Sequence, residues 1–173
     1  MADESKQRKT PFLLRILVGS RPKLTLVRLV FLASFSFLLF RYALRPLMVD
    51  GVSMEPTVHD RTFRFANLLA YRVREPSRGD IVLIDKDGFN AMYMKRILGL
   101  PGERVEFRDG VLYVDGAARP EEYLSAAGDW DMEAVELGPG EYLVAGDKRS
   151  VPRRSHVMGV VRREAILGRL LGK

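Results

Sequence analysis

Ser53 and Lys95 are two of the residues in this 173-residue chain whose types could do chemistry, and the composition excludes several of the commoner kinds of site. The chain has no cysteine, which excludes a thiol nucleophile, a disulfide framework and a cysteine-ligated metal site. Its two histidines, His59 and His156, are too few for a histidine-rich metal centre and argue against a Ser-His-Asp hydrolase. Any proton transfer therefore has to use Lys, Asp, Glu or Tyr, and we expect no metal and no other cofactor.

The local sequence around each of the two residues leaves its role open. Ser53 lies in Asp50–Thr57 (DGVSMEPT), where glycine and proline predict a turn at the edge of a strand. Such a serine is, by itself, typical of a solvated loop hydroxyl. Lys95 lies in the sequence AMYMKRILG, which predicts a strand with Tyr93, Lys95 and Ile97 on one face. This alignment with apolar neighbours allows burial, but a solvated lysine on an edge strand fits equally well.

Short apolar runs separated by turn residues follow position 46 and predict the elements that carry these two residues. Asp109-Gly110, between two such runs, predicts a tight hairpin, because a two-residue turn needs positive φ angles. The close spacing predicts a mainly β fold, an antiparallel barrel-like domain behind one N-terminal helix. Ala117–Glu136 has the weakest pattern and is interpreted as a surface excursion. The predicted strands are Asp80–Asp85, Met92–Leu98, Arg104–Phe107, Val111–Val114, Glu141–Ala145 and Val157–Val161.

An apolar segment of 21 residues, 24–44, is long enough to span a bilayer as a helix. Its two arginines, Arg28 and Arg41, lie near its ends, where they can reach the interfaces. The uncharged part is only 12 residues, Leu29–Phe40, so a cleavable signal peptide, a transit peptide or a buried core helix stays open. We predict a basic cytoplasmic tail (1–23), a single transmembrane anchor (24–45) and an extracytoplasmic catalytic β-domain (46–173).

The positive charge of the chain is concentrated beside this apolar segment. The net charge is +6, and residues 1–45 carry nine Lys or Arg against two acidic residues. Beyond them, 19 basic and 20 acidic residues nearly cancel. A basic arm beside an apolar helix indicates a lipid bilayer as partner and no nucleic acid. It also predicts that the N-terminus is cytoplasmic and that the remainder lies outside.

Four blocks of the sequence resemble the type I signal peptidases, and they occur in the family's order. The resemblance implies a membrane-bound serine endopeptidase with a largely β catalytic fold and a Ser/Lys dyad. It also implies exported preproteins with small-x-small cleavage sites as substrates. The implied location is the inner (cytoplasmic) membrane, crossed once, with the catalytic domain on the outer (periplasmic) side. The blocks are Ser53-Met54-x-Pro56-Thr57, Arg78-Gly79-Asp80-Ile81-Val82, Tyr93-x-Lys95-Arg96-Ile97 and Gly146-Asp147-x-Arg149 with Gly159.

By this resemblance Ser53 is the nucleophile and Lys95 is the general base, which must be neutral to accept a proton. Burial would lower the pKa of the lysine amine. The backbone N–H of Ser53 is the implied oxyanion donor, and Gly51 stands where some members carry a second hydroxyl. The residues expected to support the oxyanion and the substrate cleft are Gly51, Met54, Pro56, Tyr93 and Val144. Those expected to support the site structurally are Asp80, Arg96, Asp147, Arg149 and Ser155.

The last block departs from the family pattern. Pro152 replaces a serine that supports the lysine, and Arg154 and His156 replace an Asp–Arg pair that braces the loop. The basic residues Lys148, Arg149, Arg153 and Arg154 are interpreted either as a solvated loop or as a cluster that lowers the pKa of Lys95. A slow or inactive homologue is a third interpretation. Other functions left open are a conjugative-transfer or mitochondrial inner-membrane type of peptidase and a non-catalytic, membrane-tethered preprotein-binding domain.

Overall fold

The computed structural model describes residues 22–85, 92–153 and 158–172. The chain divides into two compact units, residues 1–41 and 42–173. The first contains helix α1 (Pro22–Leu38), which continues into a π-helical stretch, Leu39–Ala43. The helical segment from Lys23 to Ala43 has 21 residues and is, by length and composition, able to cross a membrane. Its large apolar side chains are exposed; Phe31 and Phe37, for example, are each 67% accessible.

The second unit consists of two antiparallel sheets within the described ranges. The larger sheet has the strand order β1-β2-β11-β3-β4-β9-β10, and the smaller has the order β7-β6-β5-β8. The mainly antiparallel β fold is therefore confirmed, whereas the barrel-like closure is wrong, because neither sheet closes on itself in the described part of the chain. The strands are β1 Leu44–Met48, β2 Phe63–Asn67, β3 Ile81–Asp85, β4 Met92–Gly99, β5 Arg104–Arg108, β6 Val111–Val114, β7 Ala117–Arg119, β8 Met132–Glu136, β9 Glu141–Ala145, β10 Gly159–Arg162 and β11 Ile166–Leu171.

The predicted hairpin at Asp109-Gly110 is confirmed. Both residues have positive φ angles, 48° and 77°, and they join β5 to β6 with Arg108 opposite Val111. The next Asp-Gly pair, Asp115-Gly116, has φ angles of 51° and 77° and joins β6 to β7 in the same way. Two identical dipeptides thus set the register of three consecutive strands.

The interpretation of Ala117–Glu136 as a surface excursion is wrong. Its ends form β7 and β8, and β8 pairs with β5. Trp130, the one tryptophan of the chain, is 1% exposed and packs edge-on against Phe107 with ring centroids 5.9 Å apart. The weak alternation of apolar and polar residues in the segment gave no sign of these contacts, because the partner residue, Phe107, lies on β5, more than twenty positions away. The core of the small sheet therefore depends on this segment.

The strand that carries Lys95 lies inside the large sheet. β4 pairs with β3 on one side and, from Arg96 onward, with β9 on the other. All four apolar residues of β3, Ile81–Ile84, are buried, as expected for a strand covered on both faces. β11 was not predicted from the sequence, although it separates β2 from β3. Val157, the first residue of the last predicted strand, lies outside the described residues, and β10 begins at Gly159.

Gly99, at the end of β4, should be sensitive to any added side chain. A Cβ atom there would lie 2.6 Å from Leu137 Cδ1 and 2.7 Å from Val105 Cγ2, both in the core of the small sheet. We expect Gly99→Ala to lower the free energy of unfolding by about 1–3 kcal/mol through overpacking. Chemical denaturation in detergent measures this change. Gly159→Ala is the control, because its Cβ meets no atom within 4 Å, and an equal loss in both variants would contradict the prediction.

Candidate active site

Ser53 and Lys95 meet in the structure. Ser53 Oγ and Lys95 Nζ lie 2.9 Å apart, within hydrogen-bond distance, although 42 positions separate them in the chain. Lys95 is on β4, and Ser53 is in the turn region that follows β1. Met54 holds this turn in place, because its side chain is buried in an apolar cluster and its carbonyl accepts the N–H of Val58 at 2.9 Å. The fold therefore brings together the two residues whose local sequence left their roles open.

The environment of Lys95 favours the neutral amine. The residue is 3% exposed, and this burial lowers the pKa of its side chain, because a desolvated ammonium is unfavourable. The carboxylate of Asp147 acts in the opposite direction, as the smaller effect. At a given pH, a larger fraction of the Lys95 amine is therefore neutral than in a solvated lysine, and the neutral amine is the form that can accept a proton.

Asp147 is held by a buried network that joins three parts of the site. Arg96 Nε donates to its Oδ1 at 2.8 Å, and Arg96 Nη2 donates to its Oδ2 at 2.5 Å. Thr57, from the turn of the nucleophile, donates its hydroxyl to the same Oδ2 at 2.5 Å. The next residue, Lys148, donates its backbone N–H to the carbonyl of Ser53 at 3.1 Å. Asp147, itself 1% exposed, thereby ties β4 and the last sequence block to the serine turn.

The backbone before the serine is arranged around a glycine. Gly51 has a φ of +109°, a conformation that strains any residue with a Cβ, and its N–H donates to Asp60 Oδ1 at 2.7 Å. The N–H of Ser53 has no acceptor among the described residues. A free backbone donor beside the serine hydroxyl is the feature that an oxyanion-binding site requires.

Two clefts meet at Lys95 and Tyr93, which line both of them. The smaller has a volume of about 160 Å³, and Ser53 and Met54 are among its lining residues. The larger, of about 540 Å³, extends past Val144 to β10. The pairing of β4 with β9 in the described structure begins at Arg96, so that the half of β4 carrying Lys95 lies just before this pairing and beside the serine turn.

The other predicted site residues occupy more distant positions. Pro56 is exposed in the serine turn. Asp80 contacts neither Ser53 nor Lys95 in the described structure. Its Oδ2 accepts from the hydroxyl of Tyr71, and its Oδ1 lies 2.9 Å from Arg169 of β11, so that it holds strand ends together. Ser155, together with Arg154 and His156, lies outside the described residues.

The solvated-loop interpretation of the basic residues fails for Arg149, and both Lys148 and Arg149 are paired with carboxylates. Lys148 Nζ forms an ion pair with Glu55 at 3.0 Å. The side chain of Arg149 is 1% exposed and pairs with Glu121 at 2.6 Å, so that it is neither solvated nor free to act on Lys95. The lowered pKa of Lys95 comes from burial.

Three residues of the site were missed in the sequence. Thr57 was quoted as part of a block but given no role, and Glu121 and Tyr123 lie in the segment interpreted as a surface excursion. The ring of Tyr123 covers the guanidinium of Arg96, with Cζ 3.8 Å from the ring centroid. The aromatic residues of an otherwise polar segment were the available hint of burial. Within the described ranges, no group of three His, Cys, Asp or Glu side chains could hold a metal ion.

Comparisons with known proteins agree on one family. The chain matches the family model for signal peptidase, peptidase S26, over residues 23–171. It is 36% identical over 155 residues to signal peptidase I of Bacillus licheniformis, covering 82% of this chain and 83% of that protein. It is 33% identical over 145 residues to signal peptidase I T of Bacillus subtilis (strain 168), covering 77% and 75%. A crystal structure of a signal peptidase I from Enterococcus faecalis V583 has a TM-score of 0.47 and 28% identity, over 56% of this chain and 97% of that one.

Proposed function

The chain belongs to the signal peptidase family, peptidase S26, whose members are serine endopeptidases, and on that premise we propose that it cleaves signal peptides from exported preproteins with Ser53 as nucleophile and Lys95 as general base. The observation that carries the proposal is the 2.9 Å contact between the hydroxyl and a buried amine. A serine hydroxyl needs a base to accept its proton during attack, and the neutral amine supplies one.

The reaction follows from the positions of these two groups. The oxygen of Ser53 attacks the carbonyl carbon of the scissile bond while its proton passes to Lys95 Nζ. The resulting ammonium then donates that proton to the nitrogen of the leaving amine, which departs as the mature protein. A water molecule, deprotonated by the same amine, releases the acyl group and restores the serine.

The backbone N–H of Ser53 is the proposed donor to the oxyanion of the tetrahedral intermediate. It has no acceptor among the described residues, and loss of one such donor typically raises the barrier by about 2.7–4 kcal/mol. The backbone at Gly51 prevents a hydroxyl-bearing residue from occupying that position without strain. The oxyanion site thus relies on main-chain groups near the serine.

The substrate is proposed to bind in extended form in the clefts lined by Tyr93 and Lys95, beside the serine. The smaller cleft is lined by methionine and leucine side chains, which leaves room for small apolar groups. This setting favours cleavage after small-x-small sequences. The side chains concerned are Leu47, Met48, Met54, Leu83, Met92 and Met94.

We further propose that residues 24–45 anchor the protein in the cytoplasmic membrane and that the β-domain works on the periplasmic side. The helical segment from Lys23 to Ala43 has the length of a bilayer span. The basic residues that precede it favour a cytoplasmic N-terminus. A substrate whose signal peptide is also in the bilayer then meets the dyad beside the same membrane.

Cleavage of a preprotein by the full chain in detergent tests the proposed function. We expect one cut after a small-x-small site and no cut when the residue before the scissile bond is changed from alanine to phenylalanine. The rate should rise with pH along a limb that lies below the ordinary pKa of lysine, because burial lowers the pKa of Lys95. Mass spectrometry locates the cut. A parent protein that binds the preprotein without cutting it would instead support the preprotein-binding domain.

A further inference from the structure

The connection between β7 and β8, residues 121–131, contacts the loop that carries the last sequence block, and we call it the clasp segment. Trp130 Nε1 donates to the carbonyl of Val151 at 2.8 Å. The backbones also approach closely, since a Cβ on Gly128 would lie 2.2 Å from the carbonyl oxygen of Arg149. These contacts join residues about 21 positions apart along the chain.

The strongest of these contacts is the buried ion pair between Glu121 and Arg149. Arg149 Nη1 and Nη2 donate to the two carboxylate oxygens at 3.0 and 2.6 Å, and its Nε donates to the carbonyl of Gly146 at 2.9 Å. The rings of Phe107 and Trp130 lie 5.1 and 4.9 Å from the guanidinium carbon. A charge in this setting depends on its partner, because an unpaired buried ion is strongly destabilising.

Tyr123 extends the same segment to the second arginine of the site. Its hydroxyl donates to Glu121, and burial raises the pKa of that hydroxyl, so that it keeps its proton. Its ring lies 3.8 Å from the guanidinium of Arg96, the residue that binds Asp147. Two neighbouring side chains, Glu121 and Tyr123, thus contact the arginines on both sides of Asp147.

We propose that Glu121 and Tyr123 are positioning residues, which hold Arg149 and Arg96 so that Asp147 and the serine turn keep their geometry around Lys95. This inference rests on the proposed function of the Ser53–Lys95 pair. The observations that carry it are the buried ion pair of Glu121 with Arg149 and the contact of the Tyr123 ring with Arg96.

The mechanism of this effect is exclusion of water. When the contacts of Glu121 with Arg149 and of Tyr123 with Arg96 are lost, the loop bearing Asp147 moves away from β4 and water reaches the amine of Lys95. Hydration stabilises the ammonium, so the pKa of Lys95 rises and less of the amine is neutral at a given pH. Cleavage is then slower at neutral pH and recovers in more alkaline solution. Replacing a residue that only stabilised the small sheet would not shift the pH dependence of the cleavage rate.

Glu121→Gln tests the proposal in the full chain, with Glu122→Gln as the matched control, because Glu122 is exposed and adjacent. We expect Glu121→Gln to lower kcat at neutral pH by about tenfold to hundredfold, with KM changed less than about twofold, as for a misplaced catalytic group. The rise of the cleavage rate with pH should move to higher pH by about half a unit or more. Glu122→Gln should match the parent in all three quantities.

A second readout does not need cleavage. In a Ser53→Ala background, the pH dependence of acylation of Lys95 by an amine-reactive reagent gives the pKa of Lys95 directly, and Glu121→Gln should raise it. Tyr123→Phe keeps the ring on Arg96 and removes only the hydroxyl, so it replaces Glu121→Gln if that variant fails to fold. The proposal is overturned if the pKa of Lys95 is unchanged in a folded Glu121→Gln or Tyr123→Phe variant. It is also overturned if Glu122→Gln changes that pKa equally. If the titration shifts as expected but the parent chain, with Ser53 intact, cleaves no preprotein, the proposed function alone is overturned.

Discussion

Ser53→Ala is expected to lower the rate of preprotein cleavage by at least about 10³-fold while the protein stays folded, because the variant loses the attacking oxygen and nothing else. Among the residues that the structure describes, Lys95 is the side chain within hydrogen-bond distance of this hydroxyl, and Ser53 is not a member of the neighbouring apolar cluster. Binding of the preprotein should persist, since the rest of the clefts is unchanged. Single-turnover cleavage and a binding measurement on the same preparation separate the two effects.

Lys95→Met completes this prediction. The methionine keeps an unbranched side chain against Tyr93 and Val144 but supplies no base, so we expect a loss of the same order as for Ser53→Ala. It also removes an amine that had to be desolvated, and the free energy of unfolding should therefore not fall. Ser77→Ala is the control serine, since Ser77 accepts a hydrogen bond from the exposed Arg74, away from the dyad. Substantial cleavage by either dyad variant would refute the Ser/Lys mechanism.

Asp147 and Arg96 should shift the pH dependence of cleavage in opposite directions when they are replaced. The carboxylate of Asp147 raises the pKa of Lys95, although burial dominates. Asp147→Asn removes that charge, so the pKa of Lys95 falls and the limb moves to lower pH. Arg96→Met removes the cation that neutralises Asp147, so the pKa of Lys95 rises and the limb moves to higher pH, in each case by about one unit.

Both variants should also lose stability, because each leaves one buried charge without its partner. The two side chains are 8% and 0% exposed, and breaking such a pair typically costs about 3–5 kcal/mol. Arg72→Met, at an exposed position, is the control and should change neither quantity. Denaturation curves and pH profiles on the same preparations check both effects. Shifts of the same sign in Asp147→Asn and Arg96→Met would show that general loosening, not charge, governs Lys95.

The family and much of the fold were accessible from the sequence because they depend on local patterns. The four sequence blocks indicated the signal peptidases, and the comparisons confirm that family. Asp109-Gly110 predicted its hairpin, since the positive φ angles are a property of the dipeptide itself. Prediction failed where alternation was weak, in β7 and β8, and it also missed β1, β2 and β11. At β8 the strand forms because Trp130 and Met132 complete a core supplied by distant residues.

The candidate site was accessible only in part, for a similar reason. The sequence blocks drew attention to Ser53 and Lys95, and the structure places these two side chains 2.9 Å apart. Glu121 and Tyr123 belong to no motif that was quoted, and their partners Arg149 and Arg96 lie 28 and 27 positions away. The basic loop illustrates the limit best. Its charges were read from composition, whereas their effect depends on which carboxylates the fold places beside them.

By itself, the sequence determined the kind of chemistry and the kind of fold. The absence of cysteine and the scarcity of histidine limit the chemistry. The apolar 21-residue segment and the strands of alternating residues indicate the fold. Only the tertiary structure decided that the amine of Lys95 is buried, that it lies 2.9 Å from the hydroxyl of Ser53, and that the connection between β7 and β8 contacts the loop of the last sequence block. The physical reason is that desolvation and charge pairing depend on distance in space, and pairing across sheets sets that distance independently of separation along the chain.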